Sequence, residues 1–389
     1  MKISHQLFPD KFKVPENWTS LQTYKLFEKM GLAIFPKAGF PLFLPVGQIL
    51  INSVNQIIRE TAYQAGFSEL YLPLVQTPNF IEETGRAEQF NQEFFYTCNN
   101  KLILAPTNEE VFVNLASKGI NSYRQLPVRV FQIADKFRNI KKPKGIFRSK
   151  EFLMCDMISI DLNKEMLNDS AKIFEKIVEE VFQKLEIEAV RVTKHSDHYI
   201  EYLVECPEGD IYVSRNPDRY NPSGKHSSSV AMYFLFEQGG PFLSVADGTN
   251  RRSYVGTYGF GIQRCIHAII EQHRDGRGIS FPVSVRPFNS SVIIMDKNEP
   301  EQNKLAENCY NILLKSNAKP LFDDRADKTL KEKLDLADFY GIPVKIIIGK
   351  KEVANSTVTI KWRNGKTEED SFASNILSTI LENLQLKGT

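Results

Sequence analysis

The chain has 389 residues with 42% hydrophobic content and Lys+Arg 49 against Asp+Glu 47, a formal net charge of +2; that leaves room for two or three domains and excludes a polycation that binds nucleic acid indiscriminately. Its five cysteines (Cys98, Cys155, Cys206, Cys265 and Cys309) are scattered singly, with no CxxC pair and no histidine at ligand spacing, so structural zinc is not expected and a reducing, cytoplasmic compartment is. The N-terminal "MKISHQLFPDKFKVPENW" carries charges and prolines where a signal peptide has an apolar run, Asp10 and Glu16 count against a transit peptide, and no later run is long and apolar enough to cross a bilayer.

Apolar residues at helical spacing run from Leu50 to Ala62, stop at Gly66 and give way to an apolar strand broken by Pro73. "KLILAPTNEEVFVNLAS" reverses the order: a short strand to Ala105, a turn at Pro106-Thr107, then a helix that Thr107 or Asn108 would cap with acids in its first turn. From Lys136 to Asp161 the pattern predicts two antiparallel strands joined by a basic loop, with Arg138 near the end of the first and Arg148 and Phe152 on the second. A strong helical period covers 168–185, and short apolar runs between Gly, Pro and Ser predict several antiparallel strands over 190–254. The glycine-rich "YVGTYGFGIQR" leads into a helix carrying "CIHAIIEQH". Beyond "GISFPVSVRPF" the texture becomes the β-α-β alternation of a small α/β domain, with a boundary between Arg286 and Asn289.

Each motif has a plain reading beside a chemical one. Glycines 256, 259 and 261 permit a tight strand-to-helix turn; their spacing is not that of GxGxxG, and no GxxxxGK[ST] occurs, so a nucleotide would be bound by another route. Glu109-Glu110 suits a helix start, while Thr107 and Glu109 together would hold a cationic amine. Lys141, Lys142 and Lys144 form either a solvated loop or a seat for a phosphate backbone. His195, His198 and His226 read as surface residues.

The order of the pieces is more specific than any one of them. Helix, strand and Pro73, then Phe-x-Arg, basic loop, Arg-x-x-Glu-Phe and a glycine-rich strand-helix ending in Arg, resembles the three signature motifs of class II aminoacyl-tRNA synthetases. Within that class the chain resembles prolyl-tRNA synthetase: "ETGRAEQF", "APTNEE", "SYRQLPVRVFQIADKFR", "RSKEFLMCD", "YGFGIQR" with "AIIEQHRDGRGISFPVSVRPF", and the later "DDR" with "ADFYGIPVKIIIG" fall in family order over nearly the whole chain.

The resemblance implies an α+β fold: a catalytic domain over 1–286 built on an antiparallel sheet flanked by helices, then a small α/β anticodon-binding domain over 287–389. It implies a ligase that activates proline with ATP and Mg2+ and loads it on tRNA. Arg138 would bridge the amino acid carboxylate and the α-phosphate, Phe152 would stack on adenine, Arg148 and Glu151 would complete the ATP site, and Arg264 would hold the γ-phosphate end. Thr107 and Glu109 would take the imino group, with Tyr202, Met232 and Gly259 around the side chain. Lys141, Lys142 and Lys144 would meet the acceptor stem, and Asp324, Arg325 and Lys333 the anticodon arm. The Pro73 segment would lie at a homodimer interface.

Departures from the family pattern are equally specific. Ile140 stands where a glutamate is expected, the basic loop is one residue shorter, "SSVAMYFLF" and "YIEY" replace the family's pocket sequences, the C-terminal loop lacks a Pro-Gly, and there is no room for a large editing insertion. A paralogue that adenylates another amino acid or uses another acceptor, and a non-catalytic binding subunit on the same scaffold, are the alternatives. Threonyl specificity is disfavoured because Thr107-Asn108-Glu109 occupies the place of that family's zinc-binding cysteine.

Overall fold

The computed structural model describes residues 1–82, 93–97, 99, 101–193, 198–211, 226–237, 239–244 and 248–371. "ETGRAEQF" lies outside them, as does His195. The chain divides into two compact units, one made of Ile34–Leu42 with Ile51–Ile269 and the other of Met1–Ala33, Phe43–Leu50 and Ile270–Thr389.

The larger unit is organised by a sheet that has seven strands among the described residues. They are β1 (Ser68–Glu69), β2 (Val128–Phe137), β3 (Glu151–Asp161), β4 (Val190–Thr193), β5 (Tyr199–Ile211), β6 (His226–Phe236) and β7 (Tyr254–Gly261), in the spatial order β1-β2-β3-β7-β6-β5-β4. Only β1 and β2 run parallel; every other neighbour is antiparallel. Helix α1 (Pro45–Gln64) opens on a proline, which suits a first helical turn where no backbone donor is needed. Helix α2 (Glu109–Gly119) carries Glu109 and Glu110 at its positive end.

Helix α3 (Lys164–Leu185) buries Leu167, Ala171, Phe174, Ile177, Val181 and Leu185 at helical spacing, and the Asn163 side chain caps it by accepting from Met166 N at 2.9 Å. Phe174 meets Tyr233, Tyr258 and Phe260 of the sheet, and Phe182 meets Tyr202 and Phe260. Because successive strand residues point to opposite faces, this fixes which residues are left for the other side. With Tyr258 and Phe260 turned to α3, Gly259 and Gly261 fall on the far face, where β7 runs into helix α4 (Ile262–Gln272).

In the smaller unit the described strands β8 (Ser290–Ile294), β9 (Pro320–Asp323), β10 (Val344–Ile348), β11 (Thr357–Trp362) and β12 (Thr367–Ser371) take the order β9-β8-β10-β11-β12. The first three are parallel and buried along their whole length, as a sheet covered by helices requires. Helices α5 (Pro300–Lys315) and α6 (Leu330–Phe339) supply the crossovers, and α5 sets Ala306, Cys309, Tyr310 and Leu313 against Val292, Phe322 and Val344.

The compact units do not coincide with a single cut at residue 286, because the first 33 residues join the smaller one. Lys2 pairs with Phe322 beside β9, Ser4 N donates to Asp324 at 2.9 Å, Tyr340 OH donates to Met30 O at 2.5 Å, and Trp18 meets Phe339 edge-on. A segment with so few long apolar runs gives little sign in the sequence of where it docks.

Candidate active site

On the face of the larger sheet away from α3 lies a cavity of about 290 Å³, near the lower end of the range for small-molecule pockets. Its floor follows a cross-strand row in which Glu201 on β5 opposes Met232 on β6, Met232 opposes Gly259 on β7, and Gly259 opposes Asp156 on β3. Residues directly opposite share a face. A Cβ at Gly259 would come 2.7 Å from Met154 Cε, so glycine there keeps space open beside the two methionines.

Two arginines converge on this space. Arg138 follows directly on β2; its backbone N donates to Lys150 O at 2.8 Å, its Nε donates to Pro106 O at 3.2 Å, and its guanidinium lies 5.3 Å from the Phe152 ring centroid. Burial and the Arg264 charge pull its pKa down, while Asp156 and Glu109 oppose that shift. Arg264, in the first turn of α4, donates Nη1 to Ser229 O at 2.9 Å and lies 5.8 Å from the Phe147 ring centroid. Phe152, Arg148, Met232, Gly259 and Lys144 line the same cavity, and so does Ile140. A planar ring and two fixed guanidinium forks form a site suited to an anionic, aromatic ligand, with the Glu201 carboxylate at the floor.

The remaining residues singled out in the sequence stand as follows. Thr107 is buried; its carbonyl accepts from Gln76 Nε2 at 2.9 Å, and the turn it belongs to reaches the cavity through the Pro106–Arg138 bond. Glu109 does not line the cavity; its charge favours the charged form of Arg138. Glu151 does not line the cavity, and burial together with Asp135 raises its pKa. Tyr202 is a correction: Glu201 takes the cavity face, so Tyr202, one residue on, points to α3, packs on Phe182 and has its pKa pushed up to about 12 by burial.

Lys141 and Lys142 are exposed on the loop between β2 and β3, and Lys144 Nζ donates to Glu208 O at 3.0 Å. Asp324, Arg325 and Lys333 need a second correction, because their polar atoms are engaged inside the smaller unit. Arg325 pairs with Asp323 and donates to Phe12 O, Asp324 accepts from Ser4, and Lys333 Nζ donates to Ile294 O at 2.6 Å. They hold the fold and present no free charge to a phosphate.

The sequence reading missed the buried pair Lys136–Asp156 at 2.9 Å, together with Glu201 and Phe147. The signal for the pair was alternation: Lys136 stands two residues before Arg138, on the cavity-facing parity of β2, and meets the acid of β3 there.

Residues 94–273 match the class II core domain of the tRNA synthetases for G, H, P, S and T, and residues 289–383 match an anticodon binding domain. The chain belongs to the class II aminoacyl-tRNA synthetases. It is 28% identical to the proline–tRNA ligase of Rickettsia bellii (strain OSU 85-389), over 93% of this chain and 94% of that protein, and 28% identical to that of Agrobacterium fabrum, over 93% and 96%. Among solved structures, prolyl-tRNA synthetase from Cryptosporidium parvum complexed with L-proline and AMP superposes with a TM-score of 0.75 at 17% identity, covering 97% of this chain and 79% of that one. The Giardia lamblia enzyme in complex with prolyl-adenylate gives 0.75 at 19%, covering 97% and 81%. The ligase class, the use of ATP and the pairing with tRNA follow from this membership.

Proposed function

We propose that the protein is a compact prolyl-tRNA synthetase without an editing insertion, acting as a homodimer in the cytoplasm. The observation that carries this reading is the pair Arg138 and Arg264 facing one cavity beside Phe152. A proline carboxylate oxygen attacks the α-phosphorus of ATP, the bond to the β-phosphate oxygen breaks, and pyrophosphate leaves with the electron pair. Arg138 holds the carboxylate and α-phosphate in line, Arg264 takes charge at the triphosphate end, and Phe152 seats the adenine. Thr107 and Glu109 retain the cationic imino group next to Arg138. A ribose hydroxyl at the tRNA 3′ end then attacks the carbonyl carbon and AMP departs.

Among the described residues no cluster of three His, Cys, Asp or Glu side chains forms a metal site by itself. Mg2+ usually comes with phosphates and one or two carboxylates, and Glu201, whose Oε1 accepts from Tyr199 OH at 2.5 Å on the cavity wall, fits that part. When bound, the ion would neutralise charge on pyrophosphate.

The matched segments support a functional division into 1–286 for catalysis and 287–389 for the anticodon arm. Lys141, Lys142 and Lys144 are assigned to the acceptor stem. The exposed Tyr63, Tyr71 and Val75, on α1 and around Pro73, support the dimer face. No described helix is long and apolar enough to cross a membrane.

A second reading rests on Ile140. It is buried and lines the cavity where the family pattern has a glutamate, which favours a paralogue that adenylates another small amino acid. Charging of total tRNA with labelled proline, followed by identification of the acceptor, separates the two. Esterification of a single proline isoacceptor group supports the synthetase; adenylate without any charged tRNA supports the paralogue.

A further inference from the structure

Phe147, on the loop between β2 and β3, is buried and meets two residues of α4. Its ring centroid lies 5.0 Å from that of His267 and 5.8 Å from the Arg264 guanidinium. Arg264 and His267 are three apart on α4, so they project from one side of that helix. The ring is therefore clasped between them. His267 in turn has Nε2 3.6 Å from Glu208 Oε2 on β5, and the Glu208 carbonyl accepts from Lys144 Nζ of the same loop at 3.0 Å. Lys144 also pairs back on Arg148, which closes the loop tip into a small hairpin, and Ser149 Oγ bonds Gly145 O at 2.7 Å within it.

A guanidinium on a long side chain has many rotamers, and a transition-state contact needs only one of them. Ser229 O accepts from one nitrogen of Arg264 and restrains the guanidinium on that side. A hydrogen bond alone leaves rotation about its axis; a ring face beneath the plane removes it. Cation–π attraction supplies that second restraint and costs the cavity no polar group.

We propose that Phe147 is a positioning residue for Arg264, and that His267 and Lys144 hold Phe147 in place. The basic loop is thereby tied to the triphosphate end of the ATP site. This rests on the assignment of Arg264 to ATP made above.

The test is ATP–pyrophosphate exchange by the full chain with Phe147→Met, Phe147→Tyr and Arg264→Ala, read as separate KM values for ATP and the amino acid and as the melting temperature. Met keeps most of the volume without the ring face; Tyr keeps the face. The expected result for Phe147→Met is a KM for ATP raised about fivefold to tenfold, the loss of about 1–1.4 kcal/mol of cation–π attraction, with the amino acid KM within twofold of wild type. Phe147→Tyr should restore the ATP KM. An unchanged ATP KM in Phe147→Met overturns the proposal, as does a rise shared equally by both substrates that Tyr fails to correct. If Phe147→Met does not fold, Phe147→Tyr and His267→Gln decide: the proposal fails unless the former matches wild type and the latter raises the ATP KM selectively. The parent assignment is judged separately, since Arg264→Ala with undiminished exchange would refute it whatever Phe147 does.

Discussion

The Lys136 ammonium and the Asp156 carboxylate meet at 2.9 Å in the interior of the larger sheet, both almost fully buried. Desolvation raises the Asp156 pKa, and Lys136 and Arg138 oppose that rise by attraction. The acid therefore does two things: it compensates a buried lysine, and it places negative potential next to Arg138. Removing one partner of a buried pair strands the other, at a cost of about 3–5 kcal/mol. Asp156→Ala should lose stability on that scale in urea denaturation, with Lys136→Met,Asp156→Leu recovering much of it.

Arg138→Ala and Arg264→Ala should each lower exchange by about two orders of magnitude, since a charge-assisted contact in a closed site is worth about 3 kcal/mol. Melting temperatures within a few degrees of wild type would show that the loss belongs to chemistry.

Tyr202→Phe should leave the amino acid KM within twofold, because the side chain faces Phe182 across the sheet. Met232→Ala should instead change the ranking of small amino acids. A methylene in an apolar pocket is worth about 1–3 kcal/mol, so panel measurements of kcat/KM would resolve the shift.

These two residues show how far the sequence carried. Motif order located Arg138, Phe152, Gly259 and Arg264 because each lies where an element begins or ends, and those boundaries have local signals such as a turn, a glycine or a basic loop. Within a strand the signal is only parity, and "YIEY" puts a tyrosine in each register; the packing of Tyr202 on α3 decided it. The Lys136–Asp156 pair was hidden for a related reason, since a charged residue in a strand usually marks the solvent face. Asp324, Arg325 and Lys333 sit in a loop and helix that look exposed by composition; the docking of the first residues on β9 engages Asp324 and Arg325, and the Ile294 carbonyl engages Lys333.

Charge removal should separate the two lysine groups. Lys141→Ala with Lys142→Ala should weaken tRNA binding and reduce the salt slope by about one per lysine. Lys333→Met should cost about 1–3 kcal/mol of folding stability, the desolvation penalty for the carbonyl of Ile294 left unbonded, with little change in the salt slope. Filter binding across a salt series and urea denaturation measure the two effects.

Burial pushes the Cys265 and Cys309 thiols from an ordinary 9.0 up to about 12. The folded state thus keeps protons that the unfolded chain releases, so stability falls as pH rises through this window and is unaffected by these groups below it. Each thiol should contribute a loss of about 1.4 kcal/mol per pH unit above 9.0. Urea midpoints at pH 8, 9.5 and 10.5 should decline accordingly, and Cys265→Ala should flatten the slope.

The central claim is that Arg138, Arg264 and the Thr107–Glu109 corner serve activation of proline. The most direct measurement is amino-acid-dependent ATP–pyrophosphate exchange by the purified wild-type chain across all twenty amino acids. Proline should give the highest kcat/KM, with exchange lowered about a hundredfold in Arg138→Ala. A clear preference for another amino acid, or no exchange with any of the twenty, would contradict it.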